Sequence, residues 1–248
     1  PWDTGRRMKR QMHIGTSGWS YDHWKGVFYP EEMGSQDYLA FYKQMFSSVE
    51  INNSFYRLPE KKTLEHWYDS VPSDFIFSVK ASRFITHMKK LKEPAETLPP
   101  FLDRIKTLGN KLGPILFQLP PHWHANYERL EEFLECLSPD FRYAFEFRDS
   151  SWFNDQIVEL LARYQAAFCI YDLDYQLSPK ETTCDFVYIR LHGPDGAYSG
   201  RYSSHALKGW VNDIIAWGDE GKTVYCYFDN DQSGYAALNA QQLLQMIT

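Results

Sequence analysis

Seven strand-length apolar runs end on charged or amide residues, and those endings are the part of this chain that could do chemistry: SSVEINNSF, FIFSVKA, ILFQLPP, YAFEFRD, FCIYD, FVYIRLHG and VYCYFDND. Side chains two apart share a face of a strand. Glu50 therefore groups with Asn52 and Ser54, Ser78 with Lys80, Glu146 with Arg148, and Arg190 with His192, while Gln118, Asp172 and Asp229 extend the set. Four carboxylates (Glu50, Glu146, Asp172, Asp229) stand against three cations (Lys80, Arg148, Arg190), with His192 beside them. Opposed charges brought together out of water must pair, so this balance predicts an ion-pair network rather than a carboxylate-rich metal cluster. Proton transfer falls to Glu146, Asp172, His192 or Glu50, and Glu146 and Asp172 are expected to be the nearest carboxylate pair. Charge stabilisation falls to Lys80, Arg148 and Arg190. Asn52, Gln118 and Asp229 are candidate ligand contacts.

Charged residues at the ends of buried strands need an element that gathers them. Most of the runs are separated by segments of helical length and periodicity, which predicts parallel strands covered on both faces. At 248 residues and 44% hydrophobic, the chain suits a single (β/α)8 barrel of the TIM type, an α/β fold with its chemistry at the C-terminal mouth. Residues 13–248 are assigned to that domain. Residues 1–12, with Arg6, Arg7, Lys9 and Arg10, read as a flexible tail or as foreign sequence ahead of a start at Met8 or Met12. The segment from Asp174 to Asp185 is too short for a regular helix and makes the sixth connection irregular. From Arg83 to Pro100 the prolines suggest a loop with partial helix, followed by a helix over Phe101 to Leu108.

Net charge is −6, which gives no general attraction to nucleic acid or anionic lipid. No apolar stretch approaches bilayer length. Cys136, Cys169, Cys184 and Cys226 stand singly, without metal-knuckle or secreted-disulfide spacing, which predicts a soluble protein of the reducing cytoplasm. Trp19, Tyr21, Trp24, Phe28 and Tyr29 crowd the loop after the first strand, where stacking on a ligand and plugging of the barrel are equally good readings. The loops HGPDGAYSGRY and DNDQSGYAALNA carry glycines whose N–H groups could approach a phosphate, with Arg201 nearby. HWH at His122 to His124 reads as a solvated loop, and His87 is the one further histidine placed at the mouth. A set of His87, His192, Glu146 and Asp229 could hold a metal but lacks a metal-site spacing. No cofactor is predicted, and a divalent metal is kept open.

As a set, IGTSGWSYDHWKGVFYP, VEINNSFYRLP, FSVKASRFITH, ILFQLPP, FEFRDSSW, YIRLHGP with YSGRYS, and YFDNDQSGYAALNA closely resemble the domain-of-unknown-function 72 family, also called YecE-like. The resemblance runs from about Ile14 to the C-terminus. It implies a TIM-type barrel and no established reaction. By position it adds Trp19, Tyr21, Tyr56 and Asn239 to the mouth. The expected function is an enzyme, a hydrolase or lyase, acting on an anionic, phosphate-bearing or nucleic-acid-related substrate. Metal-assisted sugar isomerisation or phosphodiester cleavage is the alternative enzyme class. A non-catalytic binder of nucleic acid or a small anion is the alternative outside enzymes.

Overall fold

Every one of the apolar runs folds as a strand in the computed structural model, which describes residues 11–248. β1 (Met12–Thr16) leads through the aromatic loop to α1 (Tyr38–Met45); β2 (Ser48–Ile51) precedes α2 (Lys61–Ser70), and β3 (Ile76–Lys80) precedes α3 (Pro94–Ile105). β4 (Leu112–Gln118) is followed by α4 (Tyr127–Glu135), and β5 (Tyr143–Glu146) by α5 (Asp155–Arg163). β6 (Ala167–Leu173) turns back into the short β7 (Gln176–Leu177), which pairs antiparallel with it; no helix fills this sixth connection. β8 (Phe186–Leu191), α6 (Ser204–Asp219), β9 (Thr223–Phe228) and α7 (Tyr235–Ile247) complete the chain.

The eight long strands are parallel, in the order β1-β9-β8-β6-β5-β4-β3-β2. The ring nearly closes where β1 meets β2: Ser17 bridges to Glu50, and the Gly18 N–H donates to the Glu50 carbonyl at 2.7 Å. Gly15 permits this approach, because a Cβ there would lie 2.1 Å from the Ser48 carbonyl oxygen. The result is a single TIM-type barrel. Strand alternation then sorts the apolar residues into two cores. Leu116, Ala144, Cys169, Phe186, Tyr188, Tyr225 and Tyr227 fill the barrel interior. Val49, Phe77, Phe117, Phe145, Ile170, Ile189 and Phe228 face outward and join the helices.

Helix starts follow local chemistry where caps are present. Asn126, Asn154 and Ser203 accept from the backbone N–H three residues on, at the starts of α4, α5 and α6. α3 departs from the proline-based expectation. It begins at Pro94 and continues through Pro99 and Pro100, which lie on its exposed side, while Leu98, Phe101, Leu102 and Ile105 are buried. Burial of that apolar face outweighs the hydrogen bonds that the two prolines cannot make. Residues 1–10 of the expected tail lie outside the described residues, and Met12 already pairs with Val224. No described helix is long and apolar enough to cross a membrane.

Candidate active site at the barrel mouth

Stepping by two from the interior core leads into a polar layer: from Ser48 to Glu50 and Asn52, from Ser78 to Lys80, from Ala144 to Glu146 and Arg148, from Tyr188 to Arg190 and His192, and from Tyr227 to Asp229. Arg190 is the centre of this layer. Its Nε donates to both Glu50 carboxylate oxygens at 3.1 and 3.0 Å, and its Nη2 to Glu50 Oε1 at 2.8 Å. Its Nη1 donates to Glu146 Oε2 at 2.8 Å, and Nη2 reaches Asp229 Oδ2 at 3.5 Å. Three strands thus deliver carboxylates to one guanidinium that is 1% exposed. Ser17 Oγ and the Tyr188 hydroxyl donate the remaining bonds to Glu50, at 2.6 and 2.5 Å.

His192 and Arg148 complete the cluster. The His192 ring sets Nδ1 3.1 Å from Asp229 Oδ2 and Nε2 3.3 Å from Glu146 Oε1, so a proton on either nitrogen has a carboxylate to meet. Arg148 Nε donates to Glu146 Oε1 at 2.5 Å. Burial alone would raise the Glu146 carboxyl, but the charges of Arg148 and Arg190 and the His192 hydrogen bond outweigh it and hold the group well below the usual range. Burial likewise opposes ionisation of Asp229 and is overcome by His192, Arg190 and Lys80. The same attractions, acting against desolvation, keep Arg190 firmly protonated.

Lys80 shares the layer without sharing its bonds. Among the described residues it has no carboxylate within 4.0 Å and no acceptor for its ammonium; instead Nζ lies 4.0 Å from the centre of the Phe55 ring. Only 8% of the residue is exposed. Burial first, and the neighbouring Arg190 second, push its pKa down to about 8, against the pull of Glu146, Asp229 and Glu50.

The structure sorts the other expected site residues. Asp172 stands apart from Glu146, because its strand turns Cys169 and Tyr171 inward and Asp172 follows the outward set; it accepts from the Tyr202 hydroxyl at 2.9 Å, and burial raises its pKa. The expected Glu146–Asp172 pair is therefore replaced by Glu146, Glu50 and Asp229 around Arg190. Asn239 is fully buried away from ligand contact, clamping the Tyr202 backbone through both its amide atoms. Gln118 is 6% exposed and donates to the Leu119 carbonyl. In the glycine-rich loop two of the three glycine N–H groups are engaged within the protein: Gly193 N–H donates to the Tyr202 hydroxyl and Gly200 N–H to Gln232. Arg201 is exposed.

The aromatic loop divides its two expected roles. Trp24, at 0%, and Tyr29, at 1% exposure, are plugs: Trp24 Nε1 donates to Asp231, and Tyr29 stacks on Tyr38 at 4.2 Å. Trp19 and Tyr21 instead line a cavity of about 560 Å³ with Asn52, Tyr56, Leu39 and Trp67, where the Asn52 Oδ1 is buried without a hydrogen-bond partner. His87 bonds to Thr86 and packs edge-on against Phe55, outside the ion cluster. Sequence reasoning missed Ser17, Phe55, Tyr171 and Tyr188. Each lies on the strand face or turn beside a residue it did find, and step-of-two counting from Arg190 would have reached Tyr188.

The metal expectation meets a different geometry. Among the described residues no three His, Cys, Asp or Glu side chains are grouped to hold a metal ion, and the guanidinium of Arg190 lies among the carboxylates that would do so.

The strand-end residues that build this mouth lie within the match to a family described as protein of unknown function DUF72, over residues 13–248. The chain belongs to the DUF72 family. A DUF72 relative, the UPF0759 protein YunF of Bacillus subtilis (strain 168), is 28% identical over 269 aligned residues, covering 95% of this chain and 94% of that one. The crystal structure of a DUF72 family protein from Thermotoga maritima MSB8 superposes with a TM-score of 0.86 at 31% identity, covering 96% of this chain and 99% of the other. A DUF72 structure from Enterococcus faecalis V583 gives 0.82 at 20% identity, covering 96% and 95%, and attests the shared fold.

Proposed function

We propose that this DUF72 barrel is an enzyme of the hydrolase or lyase type that takes a small anionic, phosphate-bearing substrate at its mouth. Lys80 and the outer part of the Arg148 guanidinium hold the anion. His192, between Glu146 and Asp229, carries the proton. Asn52 and the cavity beside Trp19 and Tyr56 take the uncharged part of the substrate.

The observation that carries this reading is the unmatched cation. The Glu50, Glu146 and Asp229 carboxylates are engaged by Arg190, Arg148 and His192, and Lys80 has no ion-pair partner among the described residues. A buried charge without a counter-charge is costly, and an incoming anion supplies one. Glu146 is a poor proton donor on its own, since its acid form is suppressed, which shifts the proton-carrying role to His192.

Thermal-shift measurement with inorganic phosphate, sugar phosphates and nucleotides tests the reading, because a ligand that binds only the folded state raises its apparent stability. The expected result is a concentration-dependent rise for phosphate-bearing compounds that Lys80→Met removes. No rise with any of them, or an equal rise in the variant, would overturn the anion site. Turnover of a hit by wild type, with loss in His192→Asn, separates an enzyme from a binder.

A further inference from the structure

Lys80 is poorly placed to serve only as a fixed positive charge. Arg190 and Lys111 show how this fold secures its other buried cations: Arg190 has three carboxylates, and the Lys111 ammonium donates to the Tyr68 and Val71 carbonyls at 2.6 and 2.9 Å. Lys80 Nζ has the face of Phe55 and no acceptor among the described residues, at the C-terminal end of its strand and with part of its surface still open. It is an amine in a dry, cation-bearing setting, which favours the neutral nucleophilic form.

We propose that Lys80 is a covalent nucleophile that condenses with an aldehyde or ketone group of the phosphate-bearing ligand. The Nζ lone pair forms a bond to the carbonyl carbon. The amine's protons pass to the carbonyl oxygen, the carbon–oxygen bond breaks, and water leaves, giving an imine without any oxidant or further reactant. The imine nitrogen takes up a proton from solvent, and the resulting iminium draws electrons from the adjacent carbon, whose proton passes to the neutral His192 ring. The inference rests on the anion site proposed above and narrows its substrate to carbonyl compounds and its reaction to the lyase class.

The groups that set the charge state of Lys80 come from several elements: Arg190 on β8 opposes its protonation, and Glu146 on β5, Asp229 after β9 and Glu50 on β2 favour it. The pKa of about 8 places an appreciable free-amine fraction near neutral pH. An ordinary lysine has almost none there.

Glycolaldehyde phosphate, the smallest probe with both an aldehyde and a phosphate, provides the test. The full-length protein is incubated with it, reduced with borohydride and mapped by peptide mass spectrometry. The expected outcome is a reduced adduct on Lys80 formed at least tenfold faster than on exposed lysines such as Lys61 and Lys62, slowed by excess inorganic phosphate, and rising with pH through about 8. Label on exposed lysines with none on Lys80 would overturn the imine. Lys80→Arg keeps the charge and loses the amine, so thermal shift by inorganic phosphate in that variant reads the anion site separately. A retained shift without a wild-type adduct rejects the imine alone, and no shift in either protein with no adduct rejects both readings.

Discussion

Two sides of the same mouth treat a buried cation in opposite ways. On the β8 side Arg190 is saturated by Glu50, Glu146 and Asp229, and on the β3 side Lys80 faces an aromatic ring. The residues differ little in burial, 1% against 8% exposed. They differ in what removing them would leave behind. Without Arg190, Glu50 loses its one ion-pair partner among the described residues, and Glu146 and Asp229 each lose one of theirs; without Lys80, no carboxylate loses an ion pair. The contrast teaches that burial of a charge does not by itself mark function, whereas burial without a partner does.

The largest effect should come from Arg190→Met. Stranding the carboxylates should cost about 3–5 kcal/mol in urea unfolding. A cost under about 1 kcal/mol would mean that Arg190 is not the organising charge. Glu146→Gln should cost about 1.5–3 kcal/mol, since it replaces charged hydrogen bonds with neutral ones while Glu50 and Asp229 remain on Arg190. It should also flatten the acid limb. The folded Glu146 carboxyl is held below its unfolded value, so its contribution is complete above the ordinary carboxylate range and is lost as pH falls through the lower folded value.

Lys80→Met should leave stability at pH 7 within about 1 kcal/mol of wild type or raise it, because a buried unpaired charge is replaced by a side chain of similar shape. Its pH signature should have the same sign as that of Glu146 but lie in the alkaline range. Folding depresses the Lys80 pKa to about 8 from 10.5, so between those values the unfolded chain holds the proton that the folded one has released, and wild-type stability should gain relative to the variant as pH rises through that window. Equal alkaline profiles for the two proteins would remove the distinction between the two sides. The smallest effect, about 1 kcal/mol, is expected for Tyr227→Phe, which removes a neutral hydroxyl bonded to Ser48 and Ser78 below the ionic layer.

The barrel was legible because strand alternation and polar endings recur with the same geometry, and the sixth connection was legible as irregular because twelve residues hold no regular helix with its loops. Glu50, Lys80, Glu146, Arg148, Arg190, His192 and Asp229 could be found from charge at strand ends, since a covered strand leaves a charge few places to go. Asp172 shows the limit. FCIYD ends on a carboxylate like the other runs, yet the strand presents Tyr171 inward, and face depends on which residue enters the interior first, not on where the run stops. The engagement of the Gly193 and Gly200 N–H groups was invisible for a different reason: their acceptors, the Tyr202 hydroxyl and Gln232, are brought near only by loop conformation and by the β9–α7 turn. Trp24 and Trp19, a few residues apart in one aromatic loop, are a buried plug and a cavity wall, a difference that composition does not encode.

Glu50 does two jobs with two parts of one residue. Its carboxylate grips Arg190, and its backbone carbonyl accepts from Gly18 where β1 meets β2. The stitch that shuts the barrel and the knot that gathers its charges are therefore tied in the same thread. A folding chain with an open seam has no assembled site, and a site that loosens is coupled to the seam. Amide hydrogen exchange at Gly18, far in sequence from Arg190, should thus report in real time whether the charge cluster is intact.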